Sequence, residues 1–325
     1  MKLDSNAVIF ALSANVELAK SVAHLLSTEL SPVHLAHFPS GEVLCCPEET
    51  VRGKQVFIIQ STCPPVNDNL REVLIFIDSL RRASAGEINV IIPYFGYARQ
   101  DRKSKPREPI SSKLVADRLV TAGANRVITV NLHAPQLQGF FSCLEDDRSA
   151  IPLLGHVLYN DPEIDRKNLV AVSPDHGGVT RARQIADKLD TPIAIIDKRR
   201  NNKYQPEVRN IIGDVDGKDC VIIDDRIDTA GSAIAAAKAL KSHGAKRIRM
   251  AAAHAVFSDP AYERLTTEKV FEKIYVTDSI PLTEKFKNSK DIKIQVVSLD
   301  TMLADVIQSI SHNSSISEVY SRFVD

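Results

Sequence analysis

The stretch VIIDDRIDTAGSA, residues 221–233, decides how this chain is read. Three apolar residues, Val221–Ile223, run straight into Asp224 and Asp225. Asp228 follows, and Thr229, Ala230, Gly231 and Ser232 then open an alanine-rich helical pattern. A buried strand that empties into a small-residue turn and a helix is a strand-to-helix corner of an α/β sheet, the place where such sheets hold ligands. Carboxylates there are costly unless they hold something polar. Amides at the helix start would cradle a phosphate, helped by the hydroxyls of Thr229 and Ser232. Asp224 and Asp225 would then accept hydrogen bonds from sugar hydroxyls or hold a metal through water. The plain alternative is a solvated, capped turn; the two adjacent aspartates favour a ligand. There is no G-x-x-x-x-G-K-S/T sequence, so this is not a Walker-type loop, and a phosphorylated sugar fits better.

The rest of the chain repeats that grammar. Strands are expected at 8–13, 56–62, 89–95 and 126–133, then at 169–175, 192–197, 220–225, 247–257 and 273–280. Most are near-continuous apolar runs, as in parallel strands buried on both faces. Helical patterns such as Ser112–Thr121 and Ser232–Ser242 lie between them. The fold class is α/β, with open, mostly parallel sheets flanked by helices. GANRVITVNLHA (123–134) and GAKRIRMAAAHA (244–255) align without gaps at an offset of 121 residues, sharing Gly, Ala, Arg, His and Ala. This echo points to two similar domains, and CLEDDRSAIP (143–152) is the polar break between them. The division is placed at 1–155 and 156–325.

Composition excludes several classes. Of 325 residues, 44% are apolar and 25% charged, and 41 basic residues balance 41 acidic ones. A neutral chain has no global pull toward nucleic acid or a membrane surface. No run approaches the roughly 20 apolar residues of a membrane span. The start carries a short apolar run and an early Asp4, which does not read as a signal peptide. Five cysteines without C-x-x-C or metal-ligand spacing suit reduced thiols in a cytoplasm. ARQDRKSKPR (98–107) packs five basic residues into nine positions, and on spacing alone it is either a solvated loop or an anion site. DKRRNNKYQPE (197–207) reads as an exposed polar loop.

The DDxxDTAGS stretch resembles the loop shared by phosphoribosyltransferases and ribose-phosphate diphosphokinase. FPSGE (38–42), IPYFGYARQDRK (92–103), NLHAPQLQGFF (131–141) and VSPDHGG (172–178) separate the two, and all resemble ribose-phosphate diphosphokinase in order and spacing. The resemblance extends to SISEVY (315–320). It implies two similar phosphoribosyltransferase-like domains: an N-terminal one with the ATP site, and a C-terminal one binding ribose 5-phosphate. It also implies transfer of the β,γ-diphosphoryl group of ATP to O1 of ribose 5-phosphate, with Mg²⁺. By the same resemblance Phe38, Ser40, Gly41, Glu42, Arg99 and Gln100 contact the nucleotide. His133 and Asp175 belong to the metal site. Asp224, Asp225, Asp228, Thr229, Ala230, Gly231 and Ser232 bind ribose 5-phosphate, together with Arg200. Lys198 and Arg200 lie in a loop that folds over ATP and supplies positive charge during transfer, which is their catalytic role. Arg52, Ser315 and Ser317 resemble parts of an allosteric site for phosphate and ADP. A cytoplasmic homohexamer is the implied assembly. His254, the echo of His133, has no such match and is read as structural.

The chain also departs from the pattern. Asn131 stands where the family usually has aspartate, and Ser40 stands where aspartate is common. Arg226 replaces an apolar residue and Ser232 a threonine, and the proline after K-R-R is missing. Two other functions therefore stay open: a catalytically weak regulatory homologue that assembles with an active enzyme, and a phosphoribosyltransferase.

Overall fold

The computed structural model describes residues 1–199 and 207–315. The chain forms two compact units, the first made of Met1–Ser149 with the segment from Ser298, the second of Ala150–Val297.

In the first unit the elements are β1 (Ala7–Ala11), α1 (Val16–Leu25), β2 (Val33–His37), β3 (Val43–Pro47), β4 (Gln55–Ile59), α2 (Val66–Arg82), β5 (Glu87–Ile92), α3 (Ser111–Ala122), β6 (Arg126–Val130) and β7 (Leu144–Arg148). Strands β1, β4, β5, β6 and β7 pair in that order, all parallel, while β2 and β3 form a separate antiparallel hairpin. The sheet is apolar on both faces because both are covered. Val56, Ile58, Val90 and Val127 face a core with Val73, Phe76, Ile77 and Leu80 of α2. Ile9, Phe57, Ile91 and Ile128 are also fully buried. In α2 those four apolar residues recur at helical spacing, which makes a single buried stripe, and Phe76 meets Phe10 edge-on at 5.2 Å. α3 stops at Gly123, whose φ of 130° is open to glycine.

In the second unit the elements are α4 (Ile151–Asn160), β8 (Leu169–Ser173), α5 (Val179–Leu189), β9 (Ile193–Arg199), β10 (Glu207–Ile212), β11 (Asp219–Ile227), α6 (Gly231–Ser242), β12 (Ile248–Ala255), α7 (Ala261–Glu268), β13 (Lys273–Thr277), α8 (Glu284–Lys287) and β14 (Ile294–Val297). The sheet order is β10-β9-β8-β11-β12-β13-β14, and only the edge strand β10 runs antiparallel. One face (Val172, Ile222, Met250, Val276) packs with Ala233, Ala236 and Leu240 of α6. The other (Ala171, Val221, Ile223, Ala251) packs with Leu154 and Leu158 of α4 and Ile185 of α5. This three-layer arrangement is the expected one.

Three differences from the sequence reading stand out. The expected division after residue 155 falls inside α4, whereas the units part between Ser149 and Ala150. α4 holds together because Gly155 brings it against α5; a Cβ there would lie 3.2 Å from Ile185 Cδ1. The last helix, α9 (Asp300–Ser311), belongs to the first unit, where it packs on α1. Its Gln308 Nε2 also donates to the Lys2 carbonyl at 3.4 Å. Finally, residues 197–199 and 207 of the expected loop lie in strands, because β9 continues to Arg199 and pairs with β10.

Candidate active site

In the second unit the parallel strands β8 and β11 end at the same edge of the sheet, with Val172 opposite Ile222. Beyond β8, Asp175 turns the chain: Gly178 N–H donates to its Oδ1 at 2.9 Å, and Ser173 Oγ donates to its carbonyl at 2.6 Å. Gly178 fits closely there: a Cβ would come within 2.9 Å of Ser173 Oγ, so the hydroxyl that holds the turn would have to shift. Asp175 itself is exposed. At the end of β11, Asp225 is buried and its Oδ2 lies 3.8 Å from Arg226 Nη1. The arginine that departs from the family pattern thus neutralises its neighbour. Asp224 Oδ1 accepts from the Asp225 amide at 2.8 Å and lies 3.7 Å from Arg181 Nη2. Burial, and then the adjacent Asp225, push the Asp224 carboxyl above the ordinary carboxylate range. Ala230 adopts φ 58°, and α6 starts at Gly231. Arg264 Nη1 donates to the Thr229 carbonyl at 2.9 Å, which braces the turn from behind. Asp224, Asp225, Asp228 and Thr229–Ser232 thus share one strand-to-helix corner, with exposed Ser232 on its rim.

The first unit gathers a second set. Strands β5 and β6 are parallel neighbours, so the loop after β5 and the turn after β6 share an edge. They also touch: Gln136 Nε2 donates to Asp101 Oδ2 at 3.3 Å. Arg99 and Gln100 are exposed at a cavity of about 310 Å³, with Val66, Asn67, Tyr94, Tyr97 and Ala98 as its other walls. Gln100 is fixed from α3, where the Ser112 hydroxyl donates to its carbonyl at 2.8 Å. His133 follows the end of β6 and is half-buried. Phe38, Ser40, Gly41 and Glu42 form the β2–β3 turn. The amides of Phe38 and Gly41 donate to the Glu42 and Phe38 carbonyls, each at 2.8 Å, and Gly41 takes φ 86°. Ser40 Oγ donates to Glu42 Oε2 at 2.7 Å, and the Phe38 ring is 48% exposed, open to a flat partner.

Other expected residues are scattered. Lys198 lies in β9, whereas Arg200 and Ser317 fall outside the described residues. Arg52 is exposed and donates from Nη1 to Ser84 Oγ at 3.2 Å, and Ser315 is exposed after α9. All five cysteines are free, and burial pushes Cys45 and Cys220 up to about 12 and Cys63 to about 11, so none of these three is a nucleophile at neutral pH.

Two residues at these edges escaped the sequence reading. Arg181, beside Asp224, lies 43 positions before it in the chain. Asp147 in β7 accepts from the Leu132 amide at 3.1 Å and from the Thr129 hydroxyl at 3.1 Å. The only sequence signal for Asp147 was its company, three further charges in a run that folds as a strand.

The chain thus has two α/β units, the second with a carboxylate-lined strand-to-helix corner. Residues 7–123 match the N-terminal domain of ribose phosphate pyrophosphokinase, and residues 156–290 match the phosphoribosyl transferase domain. The chain is 51% identical over 316 residues to ribose-phosphate pyrophosphokinase of Fusobacterium nucleatum, covering 97% of this chain and 98% of that one. It is 47% identical over 321 residues to the enzyme of that name from Oceanobacillus iheyensis, covering 98% of each. The crystal structure of phosphoribosylpyrophosphate synthetase from Mycobacterium smegmatis superposes with a TM-score of 0.87 at 40% identity, covering 95% of this chain and 100% of that one. The chain belongs to the ribose-phosphate pyrophosphokinase family, and it is an enzyme of the diphosphotransferase class. Among the described residues no helix is long and apolar enough to cross a membrane.

Proposed function

We propose that the chain transfers the β,γ-diphosphoryl group of ATP to O1 of ribose 5-phosphate, releasing AMP and leaving 5-phosphoribosyl 1-diphosphate. The observation that carries this is the β11–α6 corner. Its two carboxylates suit a sugar diol, and its amides at a helix start suit the 5-phosphate. Asp228, Thr229, Ala230, Gly231 and Ser232 line that phosphate cradle, and Asp224 and Asp225 orient the ribose. Phe38 stacks on adenine, Ser40, Gly41 and Glu42 contact its edge, and Arg99 and Gln100 hold the nucleotide. Lys198 and Arg200 bring positive charge to the transferring group as negative charge spreads over its oxygens, and Arg200 also reaches the sugar phosphate.

By family likeness, His133 in the first unit and Asp175 in the second each belong to the Mg²⁺ chemistry. An imidazole and a carboxylate are few ligands, so a hard cation there would be held mainly by water and phosphate oxygens. When bound, the ion supplies positive charge to the polyphosphate. We read the assembly as a cytoplasmic homo-oligomer, a hexamer by family likeness, with Arg52, Ser315 and Ser317 at a regulatory site. The test is AMP release from ATP, ribose 5-phosphate and Mg²⁺ by the purified protein alone. Product that appears only with an added active relative would instead assign a regulatory role.

A further inference from the structure

We infer that Asp147 is the positioning residue for His133, holding the turn that carries the imidazole toward the polyphosphate. This rests on the reading of His133 as a metal-site residue. β6 ends at Val130, and Asn131 turns the chain away with φ 51°. Two consecutive amides of that turn are captured by β7: Asn131 N–H donates to the Arg148 carbonyl at 2.8 Å, and Leu132 N–H donates to Asp147 Oδ1 at 3.1 Å, with Oδ2 at 3.3 Å. The Asp147 carboxylate therefore fixes the Asn131–Leu132 peptide, one residue ahead of His133.

Asp147 is itself held in place. The Thr129 hydroxyl lies 3.1 Å from Asp147 Oδ1 and 2.7 Å from Glu145 Oε1. Thr129 has a single proton to offer two acidic side chains, and Glu145 Oε2 is buried with no hydrogen-bond partner. A half-buried acidic pair on an edge strand is a costly way to fill space, and an apolar pair would pack at lower cost. What an apolar pair cannot do is accept the Leu132 amide. The neighbouring Asp146 is a built-in contrast: it pairs with Arg126 and Arg148 and takes no hydrogen bond from the turn.

Steady-state kinetics test this with four variants. Asp147→Ala is expected to lower kcat roughly ten- to a hundredfold, with the KM for ribose 5-phosphate within about twofold, as for residues that orient a metal-facing ligand. Asp147→Ser, whose hydroxyl is too short to reach Leu132, should show the same loss. Asp147→Asn keeps an acceptor oxygen and should recover most of kcat, and Asp146→Asn should match wild type. The inference is overturned if both Asp147→Ala and Asp147→Ser fold and keep wild-type kcat while His133→Ala loses turnover. It is also overturned if Asp146→Asn loses as much as Asp147→Ala, which would make β7 a merely structural edge. A fully active His133→Ala would instead remove the metal-site reading, and the inference with it.

Discussion

The two echoing segments, 123–134 and 244–255, begin alike and end differently. Each begins with a positive-φ glycine, Gly123 or Gly244, and each forms an internal parallel strand with an arginine at or next to its start. In the second unit β12 runs on to Ala255, so His254 is buried in the sheet with its Nδ1 2.8 Å from Ser279 Oγ. In the first unit β6 stops at Val130, and His133 is left at the sheet edge. The difference lies in the neighbours. β11 continues far enough to pair Arg226 with His254 and Ile227 with Ala255, whereas the last partner β5 offers β6 is Ile92, opposite Thr129. On the other side β13 supplies a neutral hydroxyl, with Thr277 Oγ1 donating to the Ala253 carbonyl, where β7 supplies the Asp147 carboxylate. One motif thus becomes a core histidine or a half-buried histidine beyond the strand end according to the strands beside it.

The long end of β11 both covers His254 and carries the acids, and separating those roles gives the largest expected effect. Asp224→Asn with Asp225→Asn should abolish ribose 5-phosphate binding by calorimetry while ATP binding and the fold survive. Unchanged ribose 5-phosphate affinity would detach the β11 corner from the sugar. Because burial raises the Asp224 carboxyl above its ordinary range, its proton is lost only at higher pH. Wild-type ribose 5-phosphate affinity should therefore weaken on acidification sooner than an exposed carboxylate would allow.

The histidine pair gives the next effect. His133→Ala should cut turnover about a hundredfold or more with little change in melting temperature. His254→Ala removes a buried, hydrogen-bonded ring and should cost roughly 1–3 kcal/mol of stability at near-normal kcat. If both variants lose turnover equally, the two strand ends are not functionally distinct.

A third measurement compares the acid beside β6 with the hydroxyls beside β12. Burial pushes Glu145 up from 4.5 to about 7. A group raised in the folded state stabilises it fully below the unfolded pKa, and that stability is lost as pH rises through the folded value. Wild type should therefore lose stability relative to Glu145→Gln between about pH 4.5 and pH 7, by at most about 3 kcal/mol, and the difference should be flat above that window. Parallel pH curves for the two proteins would place Glu145 in solvent.

Much of this was legible in the sequence, for a physical reason. The strands β4, β5, β6, β8, β11, β12 and β13 read as apolar runs because helices cover both sheet faces. The corner at Asp224 was legible because acids beside a buried run violate patterning, and such violations mark sites. LEDDR read as a break between domains because its charges are satisfied by partners distant in the chain: Asp146 by Arg126, and Asp147 by Leu132, fifteen residues away. The same distance hid Arg181 from Asp224. α9 was assigned to the wrong unit because nothing in its pattern names α1 as its partner.

The smallest expected effect concerns Asn131, where the chain departs from its family. From sequence alone, the amide means one carboxylate fewer at the metal. The structure adds a backbone demand: φ is 51°, a region that asparagine, aspartate and glycine adopt at lower cost than alanine. Asn131→Ala should therefore cost about 1–2 kcal/mol, and Asn131→Gly should be milder. Asn131→Asp satisfies the backbone and changes only charge. That charge would join Asp147, whose carboxylate already holds the next amide, so the gain in local potential is partial. The Mg²⁺ concentration for half-maximal AMP release should fall, but by less than the roughly tenfold lower bound for outer-shell changes. If Asn131→Ala is destabilised while Asn131→Asp leaves the Mg²⁺ titration unmoved, residue 131 serves the turn alone. The strand end would then owe its chemistry to His133 and Asp147.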